Sequence, residues 1–367
     1  MLIALTVIVI LAVCISAYAY HNMNYDQGVP RLLEKAGFTE KQVALEDGSV
    51  INYGEGPGKG VPLLLIHGQM VSWQDYAKVL SGLSKSYHVY AVDCYGHGGS
   101  SKDPVKYTAR SNGADLVWFI ENVIKQPAVI SGHSSGGLMA AWIAANEPDD
   151  VIGLVIEDAP FFATEADRRE NTYSWVDGFK TIHEYLNRRE EGRYINHYLE
   201  HCYMQNFWGK DGWEKFVLTP ANKYMTKHPS EKLRLWFLPP SMNKGVFDLT
   251  RCIQDGTGEY DLRFGDAFYA GAWFENFDQA ETLGRVQCPS VLMHTEVKTD
   301  DHGILLGAMS SDDANRTHLL LRDNKLIDHI KSGHDIHDEK PDYFIKVMED
   351  LLNRVNNNGI SKRKENG

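Results

Sequence analysis

The chain has 367 residues and a formal net charge of −12. That length suits one large domain with an insertion, or two domains, and a core of this size needs no disulfide bonds. The negative charge argues against nucleic acid as a partner, because phosphate binding requires a basic surface. The charge does not identify a substrate, and nothing in the sequence indicates an oligomeric state.

The N-terminal segment is almost wholly apolar from Leu2 to Tyr20, and no Lys or Arg occurs before Arg31. We predict that residues 1–20 are a signal peptide or a membrane anchor. The small residues around Ala17–Ala19 resemble a signal cleavage site, whereas the missing basic start keeps the anchor open. Either interpretation predicts a secreted or membrane-anchored, extracytoplasmic protein. Residues 21–42 are expected to be a linker.

Strand and helix patterns alternate over residues 43–160 and return over 286–356. Continuous apolar strands separated by helices are typical of a mostly parallel sheet covered on both faces. The predicted strands are 43–45, 50–53, 62–66, 87–92, 127–131, 151–157, 289–294 and 325–330. The predicted helices are 73–83, 109–123, 137–147, 303–320 and 341–355. We therefore expect one α/β core formed by both stretches, followed by a flexible tail at 357–367.

The stretch 161–285 interrupts this pattern, because it is polar, charged and aromatic and shows no clear strands. It contains five of the eight tryptophans, namely Trp175, Trp208, Trp213, Trp236 and Trp273. We interpret it as an insertion at the carboxyl end of the sheet, above the place where sites in open parallel sheets form. Its aromatic side chains, taken together, predict a covered and largely apolar site.

The pentapeptide Gly132-His133-Ser134-Ser135-Gly136 lies between a predicted strand and a predicted helix. A G-x-S-x-G sequence in this position predicts a nucleophile elbow, in which the central serine occupies a strained turn. The residues two positions away on either side must then be small, and both are glycine. We therefore predict Ser134 as a catalytic nucleophile.

A serine hydroxyl needs a neighbouring base, which is usually histidine because its pKa lies near neutral pH. The candidate is His334, which follows the last predicted strand on a loop at the carboxyl edge of the sheet. His337 is the nearest rival. The sequence His334-x-x-His337-x-Glu339 is not the H-E-x-x-H zinc motif and no C-x-x-C pair accompanies it, so neither a metal nor a cofactor is expected.

These motifs together resemble the α/β-hydrolase superfamily, in its cap-bearing serine esterase and lipase-like branch. The matching pieces are His67-Gly68 after a strand, the pentapeptide, the loop Asp93–Ser100, and Gly333-His334 with Glu339 and Pro341. The resemblance implies an α/β-hydrolase fold with a mostly parallel central sheet, helices on both faces, and a largely helical cap insertion at 161–285. The order of nucleophile, acid and histidine along the chain also fits that family.

The resemblance implies the remaining members of the site. The backbone N–H groups of Gln69 and Ser135 are expected to form the oxyanion hole. The acid that orients the histidine is expected a few residues beyond the strand 289–294, and Asp300 is our prediction. Its rivals are Asp301 and Glu296 on the same loop, and Asp158 or Glu157 at the end of the preceding strand.

The site predicts a hydrolase that cleaves a small or medium hydrophobic ester, lactone or thioester through an acyl-enzyme intermediate. Two alternatives use the same machinery on an N-terminal peptide bond or on a C–C bond. An aminopeptidase would need acidic groups in the cap, and Glu165, Asp167, Glu184 and Glu190 are available. A further alternative is a non-catalytic binding protein on the same scaffold, which would normally lack a member of the catalytic set.

Overall fold

The computed structural model describes residues 2–24, 27–188, 192–229, 231, 233–237 and 259–365. An eight-stranded sheet forms its centre, in the spatial order β1-β2-β4-β3-β5-β6-β7-β8. The first two neighbour pairs of that order, β1-β2 and β2-β4, are antiparallel and all the others are parallel. The strands are β1 (Thr39–Ala44), β2 (Val50–Glu55), β3 (Val61–Ile66), β4 (Tyr87–Val92), β5 (Ala128–His133), β6 (Val151–Glu157), β7 (Ser290–Thr295) and β8 (Asn324–Ile330).

Two helices come before the first strand in the chain, and the helices that follow cover the sheet on both faces. In chain order the core helices are α1 (Leu2–Asn24), α2 (Gly28–Ala36), α3 (Ala77–Leu83), α4 (Ala109–Phe119), α5 (Ser135–Asn146), α11 (Gln279–Arg285), α12 (Ser311–Leu320), α13 (Ile336–Glu339) and α14 (Pro341–Glu365). Between β6 and α11 lie α6 (Lys180–Asn187), α7 (Tyr194–His201), α8 (Lys210–Trp213), α9 (Thr219–Lys227) and α10 (Leu262–Ala270).

The central strands are buried on both faces, which is why their sequences are continuously apolar rather than alternating. In β3, Leu63 and Leu65 belong to the cluster that packs against α3 and α14. Leu64 and Ile66 belong to the opposite cluster, which packs against α4 and α5. All four side chains have no accessible surface. The parallel α/β core predicted from the sequence is confirmed.

The boundaries differ from the predictions at three places. The expected linker at 21–42 contains the end of α1, all of α2 and most of β1. The helix expected from residue 303 begins only at Ser311, because residues 296–310 form a long loop. The closing helix extends to Glu365, through most of the expected flexible tail.

The insertion after β6 is helical in its described residues, where no strand occurs between β6 and β7. Two contacts fasten its first part to the core. The guanidinium group of Arg168 forms a two-pronged ion pair with the carboxylate of Asp313, at the start of α12. The backbone N–H of Tyr173 donates to the carbonyl oxygen of Leu305, at 2.9 Å. The cap is thus held to α12 and to the loop that precedes it.

Helix α1 is apolar and exposed. Among the described residues, Ile3–Asn24 is the one helical stretch long and apolar enough to cross a membrane, and none of its most apolar part is buried in the protein. A signal sequence has the same properties, so the helix fits both interpretations of the N-terminal segment.

Candidate active site

Ser134 occupies a sharp turn between β5 and α5. Its backbone angles are φ 54° and ψ −123°, in the region that strains an L-residue. The backbone N–H of Ser134 donates to the carbonyl oxygen of Glu157, at 2.9 Å, and holds the turn against β6. A Cβ atom at Gly132 would collide with the carbonyl of Gly136, and one at Gly136 with the carbonyl of Ile66. Both glycines are therefore required by packing at this turn.

His334 lies beside Asp158, the residue that follows β6. The Nδ1 atom of His334 is 2.7 Å from Oδ2 of Asp158. Asp158 is fully buried. It also accepts hydrogen bonds from the backbone N–H and the hydroxyl of Thr295, both at 3.2 Å. A carboxylate held in this way fixes the ring of His334, and leaves Nε2 as the nitrogen that is open to proton transfer.

The two partners shift each other's pKa. The side chain of His334 is 43% exposed to the cavity, and the surrounding protein still removes enough solvent to favour the neutral ring. The hydrogen bond to Asp158 and the negative charges of Asp158 and Asp335 outweigh that effect and raise the pKa of His334 to about 9. Burial raises the pKa of Asp158, whereas the hydrogen bond and charge of His334 outweigh burial and hold that pKa below its usual value. Both directions are those of a charged pair that stabilises an imidazolium ion.

The structure does not bring Asp300 to His334, which corrects the prediction from the sequence. The Asp300 carboxylate accepts a hydrogen bond from the Tyr203 hydroxyl at 2.6 Å. It also accepts the backbone N–H groups of His302 and Ile304, each at 2.9 Å. The loop after β7 turns towards the cap, so its acid binds cap and loop groups.

The other acids that the sequence offered on this loop are also separate from His334. Asp301 and Glu296 are exposed. Glu157 is buried, but its carboxylate binds His337 rather than His334. Of the five carboxylates considered from the sequence, Asp158 is the one that contacts His334.

Gln69 and Ser135, the predicted oxyanion donors, line the same cavity as Ser134 and His334. Ser135 is the first residue of α5, so its N–H has no acceptor within the helix. Gln69 follows β3, and its side-chain oxygen accepts a hydrogen bond from the Tyr260 hydroxyl at 2.8 Å. That hydrogen bond joins the loop after β3, which carries Gln69, to the cap.

The cavity has a volume of about 440 Å³ and lies between core and cap. On the core side it is lined by Ser134, His334 and the loop after β3. On the cap side its lining includes Tyr173, Phe179, Tyr198, Met204 and Phe268. The enclosed surface is therefore largely aromatic and apolar, which suits a hydrophobic substrate group.

One carboxylate of the cap, Asp177, also lines this cavity. It accepts hydrogen bonds from the Tyr198 hydroxyl at 2.7 Å and the Met204 backbone N–H at 2.9 Å. Burial raises the pKa of Asp177, although these donors oppose the shift. The acid holds together the segments of the cap that form the cavity wall.

A second histidine, His337, is paired with carboxylates beside the candidate site. His337 is fully buried, and its Nδ1 atom lies 2.9 Å from Oε1 of Glu157. Its Nε2 atom lies 3.1 Å from Oδ2 of Asp75. Burial lowers the pKa of His337, but the charges of Glu157 and Asp75 outweigh it and raise the pKa well above the usual value. His337 is thus a buried cation between two carboxylates.

Asp75, His133 and His337 form the one group, in the part of the chain described, that has the spacing of metal ligands. Their ligand atoms lie within 4.8 Å of one another. Both ring nitrogens of His337 already bind carboxylates, and a protonated ring cannot ligate a metal. Burial and the neighbouring His334 lower the pKa of His133 to about 3 and keep that ring neutral. The group is accounted for as an ion-pair network.

Sequence reasoning missed this network and the Asp177 contacts. The only available signal for the network was the pair Glu157-Asp158 at a strand end, opposite two histidines three positions apart. Asp177 carries no motif, and its neighbours Tyr198 and Met204 are distant in sequence.

A family model described as alpha/beta hydrolase fold matches residues 61–341. The chain is 24% identical over 268 residues to (E)-2-((N-methylformamido)methylene)succinate hydrolase of Acinetobacter baylyi, covering 71% of this chain and 80% of that protein. It is 34% identical over 120 residues to a non-heme chloroperoxidase of Streptomyces lividans, covering 32% of this chain and 44% of that protein. In two other relatives the matched segment covers only 37% and 33% of the relative's length.

Among solved structures, a bacterial membrane phospholipase A superposes with a TM-score of 0.58 at 18% sequence identity. The superposition covers 97% of this chain and 98% of that one. At this identity the likeness shows a shared fold. The family match spans most of the chain and agrees with the sheet order and the turn at Ser134. This chain therefore belongs to the alpha/beta hydrolase fold family.

Proposed function

We propose that the protein is a serine hydrolase that cleaves a small or medium hydrophobic carboxylic ester or thioester through an acyl-enzyme intermediate. The proposed catalytic residues are Ser134 as nucleophile and His334 as base, with Asp158 replacing Asp300 as the acid. The observation that carries the proposal is the contact of 2.7 Å between His334 Nδ1 and Asp158, in a cavity that also contains the strained Ser134.

In the proposed acylation step, the Ser134 hydroxyl attacks the carbonyl carbon while Nε2 of His334 takes its proton. The imidazolium ion that forms is stabilised by the Asp158 carboxylate, whose low pKa keeps it ionised. His334 then donates the proton to the leaving alcohol or thiol, and the acyl group remains on Ser134. In the second step His334 takes a proton from water, which attacks the acyl carbon; the bond to the Ser134 oxygen breaks, His334 returns the proton to that oxygen, and the carboxylic acid leaves.

The N–H groups of Gln69 and Ser135 are proposed to bind the oxyanion of each tetrahedral intermediate. One such donor typically contributes a factor of about 10²–10³ to kcat. The hydrogen bond from Tyr260 to the side chain of Gln69 supports this role, because it restrains the loop that must keep its shape during the reaction.

The cavity favours an ester over an N-terminal peptide bond. An aminopeptidase needs a carboxylate with free oxygen atoms to bind the substrate ammonium group. Asp177 is the cap carboxylate in the cavity lining, and its oxygen atoms already accept from Tyr198 and Met204. Of the cap acids that the sequence offered, Glu165, Asp167 and Glu184 are absent from the lining, and Glu190 is outside the described residues.

We further propose that α1 takes the protein to a membrane and the folded body out of the cytoplasm, as a cleaved signal or a retained anchor. The apolar, unburied surface of α1 supports this proposal. The proposed substrate is a small-molecule ester.

A fluorophosphonate probe tests the mechanism, because it forms a covalent bond only with an activated serine. We expect labelling of the wild type and none of Ser134→Ala. Ser174→Ala is the matched control, since Ser174 lines the same cavity, and its labelling should equal that of the wild type. Unchanged labelling of Ser134→Ala, or no labelling of folded wild type, would contradict the proposal.

A further inference from the structure

The length of α1 fixes where its C-terminal end lies if the helix spans a membrane. The apolar stretch from Leu2 to Tyr20 is about 28 Å long, close to the ~30 Å thickness of a hydrocarbon core. Asn22 and Met23 therefore lie just beyond the hydrocarbon, at the level of the lipid headgroups.

The cap contacts α1 at this level. The side-chain amide of Asn22 is 2% exposed and donates to the carbonyl oxygen of Trp236 at 2.8 Å. The guanidinium group of Arg234 donates to the carbonyl oxygen of Met23. We call residues 233–237 the cap edge. The cap edge is anchored in the folded protein, because Leu233 and Leu235 are 0% and 2% exposed and belong to the hydrophobic cluster that also packs against α4 and α5.

Aromatic side chains mark the same level on both elements. Trp236 of the cap edge is 44% exposed, and Tyr18 and Tyr20 of α1 are 37% and 69% exposed. Trp and Tyr concentrate at membrane–water interfaces, where the ring lies among headgroups and its polar atom reaches water. The Arg234 side chain adds a positive charge beside them, which suits anionic headgroups.

We propose that α1 is retained as an anchor and that the cap edge rests on the lipid bilayer, with the indole of Trp236 among the headgroups. The cap then faces the membrane, and the cavity that it covers receives acyl esters from the lipid phase. The substrate part of this inference rests on the proposed function, whereas the placement of the cap edge does not.

Tryptophan quenching tests the placement. The full chain is reconstituted into phosphatidylcholine vesicles with or without brominated acyl chains, which quench only nearby indoles. We expect brominated lipid to quench part of the wild-type emission, and Trp236→Phe to remove most of that quenching. Trp118→Phe is the matched control, because Trp118 is a half-buried tryptophan of α4 on the core. Its quenching should equal that of the wild type.

Equal quenching of wild type and Trp236→Phe would overturn the proposal. So would the absence of α1 from the mature chain, measured by intact mass, because nothing would then hold the cap edge at the bilayer.

Kinetics test the substrate part. Trp236→Ala keeps the backbone contact to Asn22, and we expect it to hydrolyse a vesicle-embedded ester about tenfold more slowly than the wild type, through loss of buried indole surface. Its rate on a water-soluble ester should be unchanged. Equal losses on both esters would overturn delivery from the lipid. If wild type hydrolyses neither ester, the proposed function fails, and the quenching still decides the placement.

Discussion

The loops that follow β6 and β7 begin at the same edge of the sheet, and each carries an acid, yet only one acid reaches the histidine. Asp158 is fully buried and binds His334. Asp300 lies on the neighbouring loop and binds Tyr203 of the cap. An acid that follows a strand of the sheet therefore lies near the candidate site, but its position in the sequence does not decide which residue it contacts.

The path of each loop explains the difference. At Asp158 the chain turns at once, with φ 41°, and its N–H donates to the Met293 carbonyl at 2.8 Å. The carboxylate is thereby kept beside β7 and under His334. The loop after β7 instead continues outward, and Leu305 bridges both Thr172 and Thr299. That loop serves as the support of the cap.

The largest expected effect comes from exchanging Asp158 for an amide, with the same exchange at Asp300 as its control. Asp158→Asn should lower kcat/KM for a p-nitrophenyl ester by about 10³–10⁴, because the amide cannot stabilise the imidazolium ion. Asp300→Asn should stay within about threefold of the wild type, since the amide oxygen can still accept the N–H groups of His302 and Ile304 while its nitrogen donates to the Tyr203 oxygen. If Asp300→Asn lost more activity than Asp158→Asn, the assignment of the acid would be reversed.

The next effect concerns stability rather than catalysis. His337→Gln should lower the free energy of unfolding by about 3–5 kcal/mol, because it leaves the carboxylates of Glu157 and Asp75 without their buried cation. Urea unfolding of the full chain in detergent measures the change. His228→Gln is the control, since His228 pairs with Glu231 at the surface and should change stability by about 0.5 kcal/mol or less. Equal losses of unfolding free energy in the two variants would contradict a stabilising role for the buried His337 cation.

The smallest expected effect is a shift of a pH midpoint. The proposed base, His334, can accept a proton only when it is unprotonated, and its raised pKa means that its own proton is lost late as pH rises. The rate of fluorophosphonate labelling of the wild type should therefore increase with pH with a midpoint near 9. Asp158→Asn replaces the carboxylate by a neutral amide and removes the charge that raises this pKa, so its midpoint should fall by about one pH unit or more. An unchanged midpoint would show that Asp158 does not act on His334.

The sequence predicted the elements whose signals are local. Continuous apolar runs in the sequence predicted the bounds of β4 and β6 to the residue, and the glycines around Ser134 predicted the turn that its backbone makes. The helix and strand within the expected linker were not predicted, because α2 has a polar face and β1 is an edge strand with mostly exposed residues. Neither element carries a continuous apolar run.

The acid could not be chosen from the sequence, because the choice depends on contacts between distant residues. Asp158 and His334 are 176 positions apart, and Asp300 is bound by a tyrosine 97 positions away. Both acids follow strands of the parallel sheet. Only the direction of the backbone after each strand separates them, and no residue type encodes that direction.

The adjacency of Glu157 and Asp158 has a consequence for redesign. Glu157 binds His337 and Asp158 binds His334. The end of β6 therefore fixes the loop after β8 at two positions. A residue inserted between His334 and His337 would break one of these two contacts, because the longer loop could keep only one histidine beside its carboxylate. Moving the acid to the β7 loop would likewise require that loop to give up its hold on the cap. Redesign of this chain is therefore freer in the cavity wall than at these two loops.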